Sequence, residues 1–377
     1  DEVACIAYIQ DLLTQAGVPS QMLAKVPERP NLVARLEGRG EAPPLLMYGH
    51  IDVVTTEGQA WTHPPFEGRI VDDCIWGRGA LDMKGGVAMM LSAMMRAKIE
   101  GLRPPGDLIF AVLSDEEGGS DFGARYVVEE HPDQFAGVRY AIGEFGGFTM
   151  RLAGHTFYPI MIAERQMCWM KVTVSGQGGH GSMPVRGQAM ARLAEIVRRL
   201  DRRRLPVHIT EPARLMFEGI ANEVGGLTGL VIRSMLDPRL TDTVLGAVGD
   251  QARIFGPLLH NTVSPTMLQA SDKINVIPNQ IELGLDGRLL PGQTPEILVS
   301  ELRRLLGDGI DIEVVRSDTA PPPPDMALFD TLSSILRAAD PAGVPVPYLL
   351  AGTTDGRHFA NLGIQSYGFV PLKRPPE

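Results

Sequence analysis

Short apolar runs recur through the first 150 residues, and each ends in a polar turn. Leu45–Tyr48, Leu108–Leu113 and Tyr140–Gly143 are almost continuously hydrophobic, the pattern of strands covered on both faces. Between the first two runs, Met83, Val87, Met90, Met94 and Ala97 recur at helical spacing. That predicts a helix starting just after Asp82, with a methionine stripe that fills the core. Alternating strands and helices predict an α/β domain with a mostly parallel sheet.

A second pattern occupies 166–318. Cys168–Val174 reads as a strand, and Ala189–Leu200 as an amphipathic helix with Met190, Leu193, Val197 and Leu200 on one face. Strands near Val263–Ala270 and Gln280–Leu289 follow, then a helix at Pro295–Leu306 and a strand at Ile310–Val315. This β-α-β-β-α-β order is the ferredoxin-like α+β plan. A helical, Gly-punctuated insertion at about Glu211–His260 interrupts it. Pro321–Pro324 is a stiff connector, followed by a helix at Met326–Ala339, a Gly-rich turn at Gly352–Gly356 and a short strand that rejoins the first sheet. The expected domains are therefore 1–165 with 319–377, and an inserted 166–318.

The length of 377 residues suits two domains with full cores. Lys plus Arg is 35 against 45 Asp plus Glu, a net charge of −10, which argues against a nucleic-acid partner. The basic run Arg198, Arg199, Arg202, Arg203 and Arg204 reads as the solvated end of a helix. Cys5, Cys74 and Cys168 form no CxxC pair and predict free thiols. No apolar run approaches the roughly 18 residues of a membrane span, so no membrane partner is expected. A cytoplasmic protein is expected, although the first residue is Asp1 rather than Met, which is compatible with a removed leader.

Chemistry concentrates where the apolar runs stop. The first runs into Gly49-His50-Ile51-Asp52, the second into Ser114-Asp115-Glu116-Glu117-Gly118-Gly119, and the third into Glu144. In an open α/β sheet, ligands bind beyond the carboxyl ends of the strands. One imidazole and several carboxylates gathered there repel one another unless a divalent cation joins them. The mixed N/O donor set suits zinc, with manganese or cobalt as alternatives. Asp82 can bridge two metals, and Asp52 is placed to support His50. Of Glu116 and Glu117, one can ligate while the other serves as general base.

These motifs, with Gly77-Arg78-Gly79-Ala80-Leu81-Asp82-Met83-Lys84-Gly85-Gly86, resemble those of the M20 metallopeptidases, a family of aminoacylases, deacylases, carboxypeptidases and dipeptidases. The resemblance implies two zinc ions per active site, one on His50, Asp82 and Glu144, the other on Asp82, Glu117 and a C-terminal histidine. It implies Glu116 as the base acting on metal-bound water, with Asp52 supporting His50. It implies that the inserted domain is a lid and dimerisation domain, giving a homodimer. His180 would polarise the scissile carbonyl, with Asn261 in a similar role, Arg288 would bind a substrate carboxylate, and the turn beginning at Gly352 would face substrate. The helical insertion and Arg357-His358-Phe359 resemble the carboxypeptidase S and N-acyl-amino-acid hydrolase subgroup. The only histidine after Arg357 is His358, which matches that subgroup's Arg-His-Phe and not the metal ligand, so the second zinc site is expected to be incomplete. The function expected is zinc-dependent hydrolysis of an amide bond in N-acyl amino acids or short peptides with a free carboxylate. A di- or tripeptidase and an inactive metal-binding member are the alternatives.

Overall fold

The computed structural model describes residues 2–249, 254–307, 309–319 and 321–374. Part of the expected helical insertion, at 250–253, and the last three residues lie outside them. Eight strands and three helices organise the functional residues: β1 (Leu45–His50), α1 (Gly85–Ile99), β2 (Leu108–Leu113), β3 (Tyr140–Gly143), β4 (Gln166–Ser175), α2 (Ala189–Arg202), β5 (Thr262–Gln269), β6 (Gln280–Leu289), α3 (Pro295–Leu306), β7 (Asp311–Ser317) and β8 (Gln365–Gly368).

The chain divides into two compact units. The first takes in Asp1–Ile162, Pro324–Pro345 and Thr354–Glu377, and the second Ala163–Pro323 with Val346–Thr353. In the first unit, β2, β1, β3 and β8 run in that spatial order, all parallel. Pro30–Leu36 and Ser20–Ala24 extend the β2 edge antiparallel, and His155–Glu164 pairs antiparallel with β8. The sheet is covered on both faces. Phe110 and Val112 point into one core with Val87, Met90 and Met94 of α1. Their neighbours Ile109, Ala111 and Leu113 point into the other, with Tyr48, Val127 and Phe359. Period-2 alternation of apolar residues on both faces is what makes these runs continuous.

The register puts the strand ends level. His50 pairs with Leu113, and Leu45 with both Leu108 and Tyr140. The Tyr48 ring lies across Gly143, where a Cβ would stand 2.0 Å from the ring. Only glycine lets β3 pass at that point, and Glu144 follows directly.

The helix expected just after Asp82 starts later. Ala80–Lys84 is a π-type turn, and Asp82 (φ −117°, ψ 101°) and Met83 leave helical geometry inside it. Asp82 is therefore not a helix N-cap. The regular helix begins at Gly85. The methionine stripe is core, as expected: Met83, Met90 and Met94 are buried. Several elements were not visible in the residue pattern, namely the helix Glu2–Gln15 and the strands Ser20–Ala24, Pro30–Leu36, His155–Glu164 and Val344–Leu350.

The second unit holds a four-stranded antiparallel sheet in the order β5-β6-β4-β7. α2 and α3 cover one face, burying Leu193, Ile196, Leu298 and Leu302 against Met170, Val172, Leu283 and Leu285. Strand sequence and spatial order together are ferredoxin-like. Helices at Glu211–Val224, Gly226–Ser234, Thr241–Val248 and Gly256–Leu259 form the insertion. All three cysteines are free thiols. Among the described residues no helix is long and apolar enough to cross a membrane.

Candidate active site

The ends of β1, β2 and β3 deliver His50, the Glu116-Glu117 turn and Glu144 to one niche of the first unit. His50 is buried, 1% exposed. Its Nε2 lies 3.0 Å from Asp82 Oδ1 and 3.3 Å from Glu144 Oε2. Its Nδ1 lies 3.2 Å from the Asp52 carbonyl oxygen and 3.4 Å from Asp52 Oδ1. Ligand atoms of His50, Glu116 and Glu144 all fall within 4.8 Å of one another, a spacing that could hold a metal ion.

Asp52 has a second task. Its Oδ1 accepts the Glu116 N–H at 3.1 Å and its Oδ2 the Glu117 N–H at 2.9 Å. One buried carboxylate therefore both faces the histidine ring and fixes the backbone of the two glutamates. Burial alone would raise the Asp52 pKa, but His50 and these two N–H groups outweigh it and hold the carboxyl below its ordinary value. Asp52 thus stays ionised.

The other acids respond differently. Burial, then the nearby charges of Glu144 and Asp355, push Glu116 up to about 9. Burial and Asp82 raise Glu117, which sits at the exposed side of the turn. Burial tends to lower the His50 pKa, yet the carboxylates of Asp52, Asp82 and Glu144 more than reverse it, so the ring is held protonated above its ordinary value. Asp82 is lowered chiefly by its hydrogen bond with His50. A niche that must protonate both an imidazole and a glutamate holds more negative charge than it can solvate. A divalent cation would supply the missing positive charge, so this donor set fits one.

One participant was not singled out from the sequence. Asp355 is 1% exposed, and its Oδ1 accepts the Ser120 hydroxyl at 2.6 Å. Arg357 Nη2 donates to the same Ser120 oxygen at 3.1 Å. Burial pushes Asp355 up to about 7, against the opposing pull of Arg357 and Ser120. Ser120 closes the turn that carries the glutamates, its N–H donating to the Asp115 carbonyl at 2.6 Å. That turn is therefore clamped at one end by Asp52 and at the other, through Ser120, by Asp355. The signal available was an acid between glycines in Gly352–Gly356, beside a matching Arg357. His358 is buried in the short helix Gly356–Phe359 and is not part of the donor group.

The remaining expected residues belong to the second unit. His180 is exposed on a two-residue strand paired with Val276–Ile277, and its Nδ1 lies 2.7 Å from Ser182 Oγ. Asn261 is 1% exposed, with its amide held inside the unit. Nδ2 donates to Glu301 Oε2 at 3.1 Å, and Oδ1 accepts the Leu290 N–H at 3.0 Å. Arg288 grips Asp286 through Nε and Nη2, at 2.9 and 3.1 Å, and Nη1 donates to Thr353 Oγ1 at 3.3 Å. Arg288 and the turn at Gly352 are thus neighbours within this unit.

Known proteins place this arrangement. Residues 46–375 match the family model Peptidase family M20/M25/M40. The chain is 28% identical to "Probable carboxypeptidase S-like 2" of Dictyostelium discoideum, over 91% of this chain and 67% of that protein. It is 27% identical to "N-fatty-acyl-amino acid synthase/hydrolase PM20D1" of Mus musculus, over 89% of this chain and 68% of that one. The chain thus spans about two thirds of the length of these relatives. Among solved structures, the M20 family metallo-carboxypeptidase Sso-CP2 from Sulfolobus solfataricus shares the fold, with a TM-score of 0.63 and 19% identity, covering 96% of this chain and 84% of that one.

Proposed function

The chain belongs to peptidase family M20/M25/M40, and from that membership we propose that it is a zinc-dependent amide hydrolase acting on N-acyl amino acids or short peptides with a free carboxylate. The observation that carries this reading is the convergence of His50, Glu116 and Glu144 donor atoms at three adjacent strand ends. The names of its relatives, an N-fatty-acyl-amino acid synthase/hydrolase and a carboxypeptidase S-like protein, support the substrate class.

In this reading His50, Asp82 and Glu144 would hold one cation, and Asp82 and Glu117 would contribute to a second. Bound there, the metal would act as a Lewis acid that lowers the pKa of water and polarises a carbonyl. A cation held there would offset the burial and the repulsion that raise Glu116, favouring the ionised carboxylate a base requires. Glu116 then removes a proton from water as the water oxygen bonds to the amide carbon. It returns that proton to the nitrogen as the C–N bond breaks, leaving a carboxylic acid and an amine, which become carboxylate and ammonium as the acid's proton passes to the amine. Asp52 keeps the His50 ring oriented and the glutamate turn in register throughout. Carboxylate recognition is assigned to Arg288, which Asp286 holds in place through Nε and Nη2 with Nη1 toward Thr353, and oxyanion stabilisation to His180. Asn261 and the Gly352 turn are assigned supporting roles, and a homodimer through the inserted unit completes the proposal.

The test is turnover on a panel of N-acyl amino acids, dipeptides and tripeptides, with Glu116→Ala as control. Faster turnover of acylated substrates, abolished in the variant with metal content kept, supports the reading. Exclusive turnover of free-amine dipeptides would make the protein a peptidase, and full activity of Glu116→Ala would overturn the mechanism.

A further inference from the structure

Arg288 is assigned a substrate carboxylate, yet its own charge is already matched. Asp286 accepts from its Nε and Nη2 at 2.9 and 3.1 Å, and the two side chains together carry no net charge. A neutral pair attracts an anion weakly unless further positive charge lies beside it.

That charge is on Arg165, which the chemistry above does not use. Arg165 directly precedes β4 in the second unit and is 3% exposed. Its Nη2 donates to Thr262 Oγ1 at 2.6 Å and to the Arg288 carbonyl oxygen at 2.7 Å. Thr262 on β5 is also the residue that pairs with Arg288 in the sheet. The Arg165 N–H donates to the Leu350 carbonyl at 3.2 Å, in the segment that leads to Thr353, whose Oγ1 accepts from Arg288 Nη1. One residue thus braces the strand that carries Arg288 and the segment that its side chain touches.

Bracing alone does not need a cation. A hydroxyl and a carbonyl accept as readily from a neutral amide, whereas a buried guanidinium carries a desolvation cost that only an anion offsets. Among the described residues no carboxylate forms an ion pair with Arg165, and its Nε has no acceptor. Burial, and then repulsion from Arg288, bring its pKa down to about 10 against the opposing pull of Asp286, so it is charged at neutral pH. Two guanidinium groups share one carboxylate, and the cluster is short of one negative charge.

We propose that Arg165 is a positioning residue that sets the specificity of this subsite. It holds the β6 backbone at Arg288 and supplies the net positive charge that makes a free carboxylate preferred over a neutral group at that end of the ligand. The proposal rests on the reading of Arg288 as the residue that receives a ligand carboxylate.

Calorimetric titration of the zinc-loaded full chain carrying Glu116→Gln, which blocks turnover, tests this with N-acetyl-L-leucine and its neutral counterpart N-acetyl-L-leucinamide. The acid binds about tenfold or more tightly than the amide, the scale of one charge-assisted contact. Arg165→Gln keeps an N–H donor and removes a buried charge, so the fold is retained. In that variant the preference falls to about threefold or less, while amide affinity changes by less than about twofold. Arg165→Lys restores the charge and most of the preference. A merely structural role would weaken acid and amide alike, and that result overturns the proposal. So does a parent chain with no preference for the acid, or an Arg165→Gln chain that keeps it. Should Arg165→Gln fail to fold, Arg165→Lys decides, since loss of the preference in that charged variant is equally contrary. Turnover of N-acetyl-L-leucine by the chain with Glu116 intact is scored separately: no turnover with the acid preference intact removes the hydrolytic reading and leaves the role of Arg165 standing.

Discussion

Replacing Asp52 with Asn removes one charge and tests how the site is held. The carboxylate accepts two backbone N–H groups, from Glu116 and Glu117, through separate oxygens. Asn offers a single acceptor oxygen, so one of those N–H groups meets an NH2 donor instead. Losing a hydrogen bond to a charged acceptor costs about 1.5–3 kcal/mol. Some relief offsets this, because Asp52 is also one of the charges that raise Glu117. The net expectation is a loss of about 2 kcal/mol in urea unfolding of the chelated protein. The same change removes the anion 3.4 Å from His50 Nδ1, and loss of such support typically weakens metal binding 10–100-fold. Zinc titration of the refolded variant reads that second effect separately. Asp52→Ala, which strands both N–H groups, should destabilise further. If Asp52→Asn matches the native chain in both unfolding midpoint and zinc affinity, the clamp described here has no energetic role.

Other expectations follow from the same geometry. Glu116→Gln should lower kcat about 10²–10⁴-fold, the usual contribution of a general base, with KM little changed in steady-state kinetics; an unaltered kcat would remove Glu116 from that role. Between the ordinary value of 3.8 and about 7, the folded chain keeps a proton on Asp355 that the unfolded chain has released. Stability of the chelated protein therefore falls as pH rises through that window, by on the order of 4 kcal/mol. Asp355→Asn should flatten that slope in urea melts at pH 4.5, 6 and 7.5, and a slope identical to the native one would refute the assignment. Gly143→Ala forces a methyl group against the Tyr48 ring and should cost about 1–3 kcal/mol or more, read as a lower Tm, with an unchanged Tm as the contrary result.

Much of this molecule was legible in residue order, and the reason differs from element to element. β2, β3, β6 and α3 begin and end where the apolar runs do, because each is fully buried on at least one face and bounded by turn residues. Pro30–Leu36 and Val344–Leu350 escaped notice because proline opens the first and interrupts the second, as the first residue of a strand and an edge strand each allow. The segment around Asp82 misled for a different reason. Asp before an apolar helical repeat is the usual sign of an N-cap, yet here its side chain turns to His50 and the helix waits for Gly85. Strand ends announced the histidine and glutamates, since the acids follow the apolar runs directly. Asp355 did not announce itself, because its role depends on burial beside Ser120, 235 positions away in the chain, and sequence spacing carries no trace of such a contact. Asn261 adds a contact of the same kind: its amide is held by Glu301 and the Leu290 N–H, 40 and 29 positions away.

The most direct test of the central claim is hydrolysis of an N-acyl amino acid before chelation, after chelation and after adding back zinc, with metal content measured per chain at each stage. The account predicts that turnover disappears with the metal and returns with zinc. Undiminished turnover in a chain stripped of metal would contradict it.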